Sequence, residues 1–147
     1  MMTYTVVQLI HLFCAITFIG VVFFEVFLLE GVRAKLGPQL MHQVEQGIIG
    51  RAKFIMPWFV GMLFISGITL AGIHYANNPR VFSTPFGIML GIKIVLAISV
   101  LVHFVKAMTA AQSGCMDSTR FQYTHLSVFI HMILIVILAK VMFVIHW

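Results

Sequence analysis

Residues 54–76 read FIMPWFVGMLFISGITLAGIHYA and hold no Lys, Arg, Asp or Glu. A helix rises about 1.5 Å per residue, so about 20 apolar residues cross the hydrocarbon core of a bilayer. The stretch from Phe54 to Ala76 meets that requirement. Three further runs meet it as well: Tyr4 to Leu29, Phe86 to Met108 and Phe121 to Trp147. The first contains one acid, Glu25; the third contains Lys93 and Lys106; the fourth contains Lys140. Membrane strands alternate with period 2, and these runs are too long and too uniformly apolar for that. Backbone polar groups in lipid must be satisfied within the segment, which favours helices. The expected fold is all-α: one transmembrane domain over 1–147, an integral membrane four-helix bundle with helices at about 4–29, 54–76, 86–108 and 121–147.

Composition agrees. The chain is 61% hydrophobic and 9% charged, whereas a soluble domain carries about 25% charge. With 14 Phe and so little charge it does not read as disordered. The formal net charge of +5 comes from basic residues too few and too scattered to track phosphates, so nucleic acid is not an expected partner. The expected surroundings are the lipid bilayer.

Arg33, Lys35, Arg51 and Lys53 fall in the first connection, Glu30 to Lys53. Only Arg80 falls in the second, Asn77 to Pro85. Arg120 and Asp117 fall in the third, with Lys106 just before it. Basic loops stay in the cytoplasm, so the first and third connections are placed there. Both termini then face the periplasmic or outer side of a bacterial-type inner membrane. The first span lacks a basic leader and a small-residue cleavage site, and reads as retained. Tyr4 and Trp147 stand where interfacial aromatics are expected. Cys14 and Cys115 fall at different levels of this topology and do not read as a disulfide. There is no C-x-x-C, no phosphate-binding loop and no nucleophile elbow.

The unusual feature is seven His in so apolar a chain, because ionisable groups are costly in lipid. His42 falls in the first connection and reads as solvated; His146 is interfacial, at the chain end. The other five lie in or at the edge of spans. His11 falls about 10 Å and His74 about 3 Å below the outer edge, and both belong to the outer half. His103 falls about 8 Å, His125 about 6 Å and His131 about 15 Å from the inner edge. This sorts them into an outer pair, His11 with His74, and an inner pair, His103 with His125 or His131. His125 and His131 are six residues apart, about 240° around a helix, so they do not both face one partner.

Paired imidazoles at matched depth suit a b-type haem, whose iron takes two axial nitrogens in an apolar slot between helices. The bland alternative is that each His hydrogen-bonds a carbonyl or hydroxyl of a neighbouring helix. Lys93, about 11 Å inside the third span, is a counter-ion for a haem propionate or an anionic substrate. Lys140 is a second such cation, or snorkels to the interface. Glu25 lies 14 residues after His11 and shares its face to within about 40°. It pairs with Lys106, accepts a proton, or sits at the interface. The ten Met raise the question of copper, but they are dispersed and read as apolar filler.

His11 followed by Phe18-Ile19-Gly20 resembles the H-x6-W-x-G start of the copper resistance D (CopD) family, a superfamily related to HemJ-type protoporphyrinogen oxidases. Gly91-Ile92-Lys93-Ile94-Val95-Leu96, followed by His103, resembles the Lys-led helix motif of both groups. Phe18 stands where the family often has Trp. Glu25 falls near a position where HemJ-type proteins carry Arg, which argues against that activity. The resemblance implies membrane haem binding or copper handling, with His11, Lys93 and His103 as positions of interest.

The leading expectation is a cytochrome-like protein with two haems b. His11 and His74 would ligate the outer one; His103 with His125, which matches it better in depth, or alternatively with the more deeply embedded His131, would ligate the inner one. Two haems in opposite leaflets would carry electrons across the membrane, with quinone or another redox partner. A copper transport or resistance protein, a HemJ-type oxidase and an accessory subunit are the alternatives, so an oxidoreductase activity is left open. Two haems would crowd so small a bundle, which favours a homodimer.

Overall fold

The computed structural model describes residues 2–113 and 118–144, with side chains for 2–110 and 122–144. Cys115, Asp117, His146 and Trp147 lie outside the described residues, as does the side chain of Arg120. All regular structure among the described residues is helical: α1 (Met2–Phe23), a π-helical segment (Phe24–Leu29), α2 (Glu30–Asn77), a 3-10 turn (Val81–Ser83), α3 (Pro85–Ser113) and α4 (Ser118–Val141).

The stretch from Glu30 to Lys53, read from the sequence as a connection, is helical except at one residue. Gly37 has φ 71° and ψ 165°, a left-handed value that glycine alone adopts without a Cβ penalty. Pro38 follows it and disfavours helical backbone before itself while starting a new helix well. The chain reverses there. Leu29 and Met41 bury against each other across the break, and Arg33 reaches Glu45.

The two arms run antiparallel. Tyr4 meets His74, His11 meets Leu63 and Ser66, and Arg33 meets Glu45. α3 and α4 also run antiparallel, with Phe86 against Phe143 and Ser99 against His131. The start of α1, the end of α2, the start of α3 and the end of α4 therefore share one end of the bundle. The core between the helices is Phe18, Val22, Met56, Val60, Val100, Val128 and Met132. Met56 and Met132 act there as apolar filler.

A tight link joins α2 to α3. The Asn78 side chain accepts from the backbone N–H of Arg80, an Asx turn. Thr84 caps α3: its Oγ1 accepts from the Gly87 N–H at 3.2 Å, with Pro85 at the first helical position. Gly87 is required, because a Cβ there would overlap the Val81 carbonyl.

The outer surface is apolar. Trp58 is 77%, Phe54 71% and Ile68 71% exposed, and similar residues stud every helix. So much exposed apolar surface is untenable in water and ordinary in lipid. Three helical stretches are long and apolar enough to cross a membrane: Met2–Asn77, which contains the Gly37 reversal, Pro85–Ala110 and Gln122–Val141.

Candidate functional site

The polar side chains inside this apolar bundle are stacked in levels. At the end shared by Tyr4 and Phe143, His74 packs edge-on to Tyr4 at 5.9 Å and against Phe86 at 5.1 Å. Phe143 extends the row by packing on Phe86 at 5.6 Å. His74 therefore sits in an aromatic collar.

Tyr4 precedes His11 by two helical turns, so the next level lies about 10 Å further in. Here the Nδ1–H of His11 donates to the Leu63 carbonyl at 3.0 Å and meets the Ser66 hydroxyl oxygen at 3.1 Å. A carbonyl only accepts, so Nδ1 carries the proton and Nε2 keeps its lone pair. Ser66 is buried, and its hydroxyl donates back to the Met62 carbonyl at 2.7 Å. Gly67 makes the approach possible: a Cβ there would stand 3.1 Å from His11 Cε1. Lys93, half-buried on α3, is close enough for its charge to act on His11. The outer pair of the sequence reading thus shares one end of the bundle with Lys93, but His11 and His74 occupy successive levels without touching.

Deeper, His103 and His131 face each other from α3 and α4 with ring centroids 5.7 Å apart. Each anchors Nδ1–H on the carbonyl one turn before it, Ser99 at 2.8 Å and Ser127 at 2.7 Å. The Ser99 hydroxyl donates to His131 Nε2 at 3.2 Å. Towards the other end, His125 Nε2 donates to Glu25 Oε2 at 2.8 Å. Of the two candidates for the inner neighbour of His103, the ring that faces it is His131, and His125 is held by Glu25. Glu25 takes His125 as its partner rather than Lys106. His11 turns to α2 while Glu25, which is 8% exposed, turns to α4. The π segment that begins at Phe24 widens the helix at this point, as such segments do at functional sites.

A cavity of about 50 Å³ is lined by Glu25, His103, Phe104, Thr124 and His125. A porphyrin-sized ligand needs on the order of 300 Å³ or more. Between His103 and His131 the Ser99 hydroxyl already occupies the imidazole that a haem iron would use. The inner level therefore does not fit a macrocycle. Nearer the other end, His11 offers one oriented, lone-pair-bearing Nε2 and Lys93 an ammonium for a carboxylate, while His74 stands a level away among aromatic rings. A ligating His whose other nitrogen is fixed by a carbonyl is the usual arrangement.

Beyond Glu25 the polar levels end in an ion cluster. Arg33 pairs with Glu30 at 2.8 Å and with Glu45, and Gln122 donates to Glu30 at 2.6 Å. Partial burial opposes the Arg33 charge, but its hydrogen bonds to the two carboxylates outweigh that and raise its pKa. Among the described residues no group of three His, Cys, Asp or Glu is close enough to hold a metal ion. Cys14 is buried and unpaired with any other cysteine; His42 and Lys140 are exposed.

The sequence reading missed Ser66, Ser99, Glu45 and Gln122. Ser66 and Ser99 carried a signal, as hydroxyls within spans that also needed partners for buried imidazoles. Neither a family model, nor a curated protein, nor a solved structure matches the chain.

Proposed function

We propose that this chain is a four-span protein of a bacterial-type inner membrane that binds one b-type haem in its outer half, with His11 as an axial ligand and His74 in the aromatic wall beside it. The Gly37 reversal gives the first two spans, and both chain ends lie on the outer side because the basic connections stay in the cytoplasm. The observation that carries the haem reading is the His11 imidazole. Leu63 and Ser66 hold its Nδ1–H and leave Nε2 as a ligand of fixed direction. The similarity of His11, Gly20 and Lys93 to the CopD and HemJ pattern supports the same level of the bundle.

A haem bound there supplies one-electron chemistry. His11 would hold it, the Tyr4 and Phe86 rings around His74 would exclude water, and the Lys93 ammonium would neutralise a propionate. The redox partner, a quinone or a protein, would then be met on the outer side. The test is a spectrum of the purified protein, expressed with ample haem precursor, with pyridine haemochrome quantitation and copper analysis. One haem per chain, lost in His11→Ala, weakened in His74→Ala and kept in His125→Ala, is expected. A colourless protein overturns the reading, and stoichiometric copper in its place would favour the metal-handling alternative.

A further inference from the structure

Glu25 lines two separate spaces. One is a small, part-open cavity of about 50 Å³ shared with His125, His103 and Thr124. The other is an open groove of about 810 Å³ between α1 and α2, which Gln43 and Arg51 also line. Among the described residues no other acid lines either space. A water needs roughly 10–15 Å³ of such volume and two to four polar partners, so this cavity has room for about three to five. Glu25, Thr124, His125 and His103 supply the partners.

The carboxylate thus borders both an outside-facing groove and a small cavity with polar groups in its wall. His125 holds one of its oxygens, Oε2, at 2.8 Å. His103, which also lines the cavity, has Nδ1–H committed to the Ser99 carbonyl, which leaves its Nε2 as the acceptor nitrogen. The titratable groups facing the carboxylate are His125 from α4, His103 from α3 and Arg51 from α2. Buried ionisable groups in membrane spans are expensive and mark proton and ion paths.

The geometry points to Glu25 as a proton-uptake site that passes protons from the α1–α2 groove, through water in the small cavity beside it, to His103. The step balances simply. Glu25 Oε1 takes a proton from hydronium in the groove and becomes a carboxylic acid. It gives that proton to cavity water, which delivers it to His103 Nε2, and Glu25 returns to the carboxylate. His125 is a positioning residue that fixes the carboxylate. Arg51 belongs to the basic first connection, so uptake is from the cytoplasmic side in the proposed orientation. The site itself does not depend on that orientation or on haem.

The test uses the full chain in lipid nanodiscs, without reference to any bound haem. After a rapid drop in pH, protonation of His103 is followed by its infrared imidazole band, identified by its loss in His103→Gln. Glu25→Gln keeps an acceptor for His125 but cannot carry the proton, and should slow His103 protonation at least tenfold. Gly47→Leu should do the same from the groove side, since Gly47 lines the groove and a Cβ there meets open space. Glu25→Asp should restore part of the rate. Unchanged rates in variants with native helical content, or a His103 that never protonates, overturn the proposal. Should Glu25→Gln fail to fold, Gly47→Leu decides alone.

Discussion

Glu25 Oε2 and His125 Nε2 stand 2.8 Å apart, joining the π segment after α1 to the first half of α4. Taking a carboxylate out of water costs several kcal/mol unless a partner compensates it. The imidazole N–H is that partner, and both side chains are largely shielded, at 17% and 6% exposure. Packing around the pair is apolar, with Phe18, Val22 and Val128 adjoining it.

Removing the imidazole should therefore cost more than neutralising the acid. His125→Ala leaves the carboxylate uncompensated and should destabilise the protein by about 3 kcal/mol. Glu25→Gln preserves an acceptor and should cost about 1 kcal/mol. The double variant should cost less than the sum of the singles, because the two groups are coupled. Chemical unfolding in detergent micelles measures all three. Strict additivity would show that the pair contributes no coupling.

The close approach of His11 to α2 gives a second expectation. Alanine at Gly67 would place a Cβ 3.1 Å from His11 Cε1 and push the ring back by a few tenths of an ångström. That displaces Nε2 without removing it. Gly67→Ala should therefore weaken haem retention about tenfold, roughly 1.4 kcal/mol, while Gly72→Ala on the same helix, with open space at its Cβ, should not. Equal haem content in the two variants would mean that the His11 position does not govern binding.

The helical class and the polar depth levels were legible because they depend on hydropathy and a fixed rise per residue. Partner choice was not. His103 and His125 have matched depths, yet depth says nothing about rotation. The direction of Glu25 was read from ideal helical spacing, 14 residues after His11, and the structure sends the two side chains to different neighbours. The helicity of residues 30–53 was hidden for another reason: charge marks the end of a span, not the end of a helix. Gly37-Pro38 was the one local signal that a break lay there. The serine partners of the imidazoles were visible as residues but not as contacts, since Ser99 and His131 are brought together only by the pairing of α3 with α4.

The turn between the two arms supplies a third expectation. Glu45 is 8% exposed and Arg33 is its guanidinium partner. Arg33→Ala should cost about 3 kcal/mol, because a buried carboxylate is left behind. Arg33→Lys should recover only part of this, since an ammonium cannot reproduce the fork that joins Glu30 and Glu45. Replacing Arg33 and Glu45 together with Leu should be near neutral. The measurement is thermal unfolding in lipid nanodiscs. A loss in the double Leu variant as large as in Arg33→Ala would contradict the argument.

The last expectation links the tight α2–α3 connection to the outer site. Any side chain at Gly87 would run into the Val81 carbonyl, which is backbone and cannot swing aside. Gly87 also gives its N–H to the Thr84 cap. Alanine there must displace the Val81–Ser83 turn or the first turn of α3, at about 3 kcal/mol by comparison with other overpacked sites. The adjacent residue is Phe86, whose ring packs on His74 at 5.1 Å. A shifted α3 start would loosen the aromatic collar, so Gly87→Ala should lose stability and outer-site ligand together. Thr84→Ala removes the cap and the hydroxyl's hydrogen bond to the Val81 carbonyl, and should cost about 1–2 kcal/mol while leaving Phe86 in place. Unfolding and haem content, measured on both variants, separate the two effects. Full haem retention in a destabilised Gly87→Ala protein would show that His74 does not need its collar.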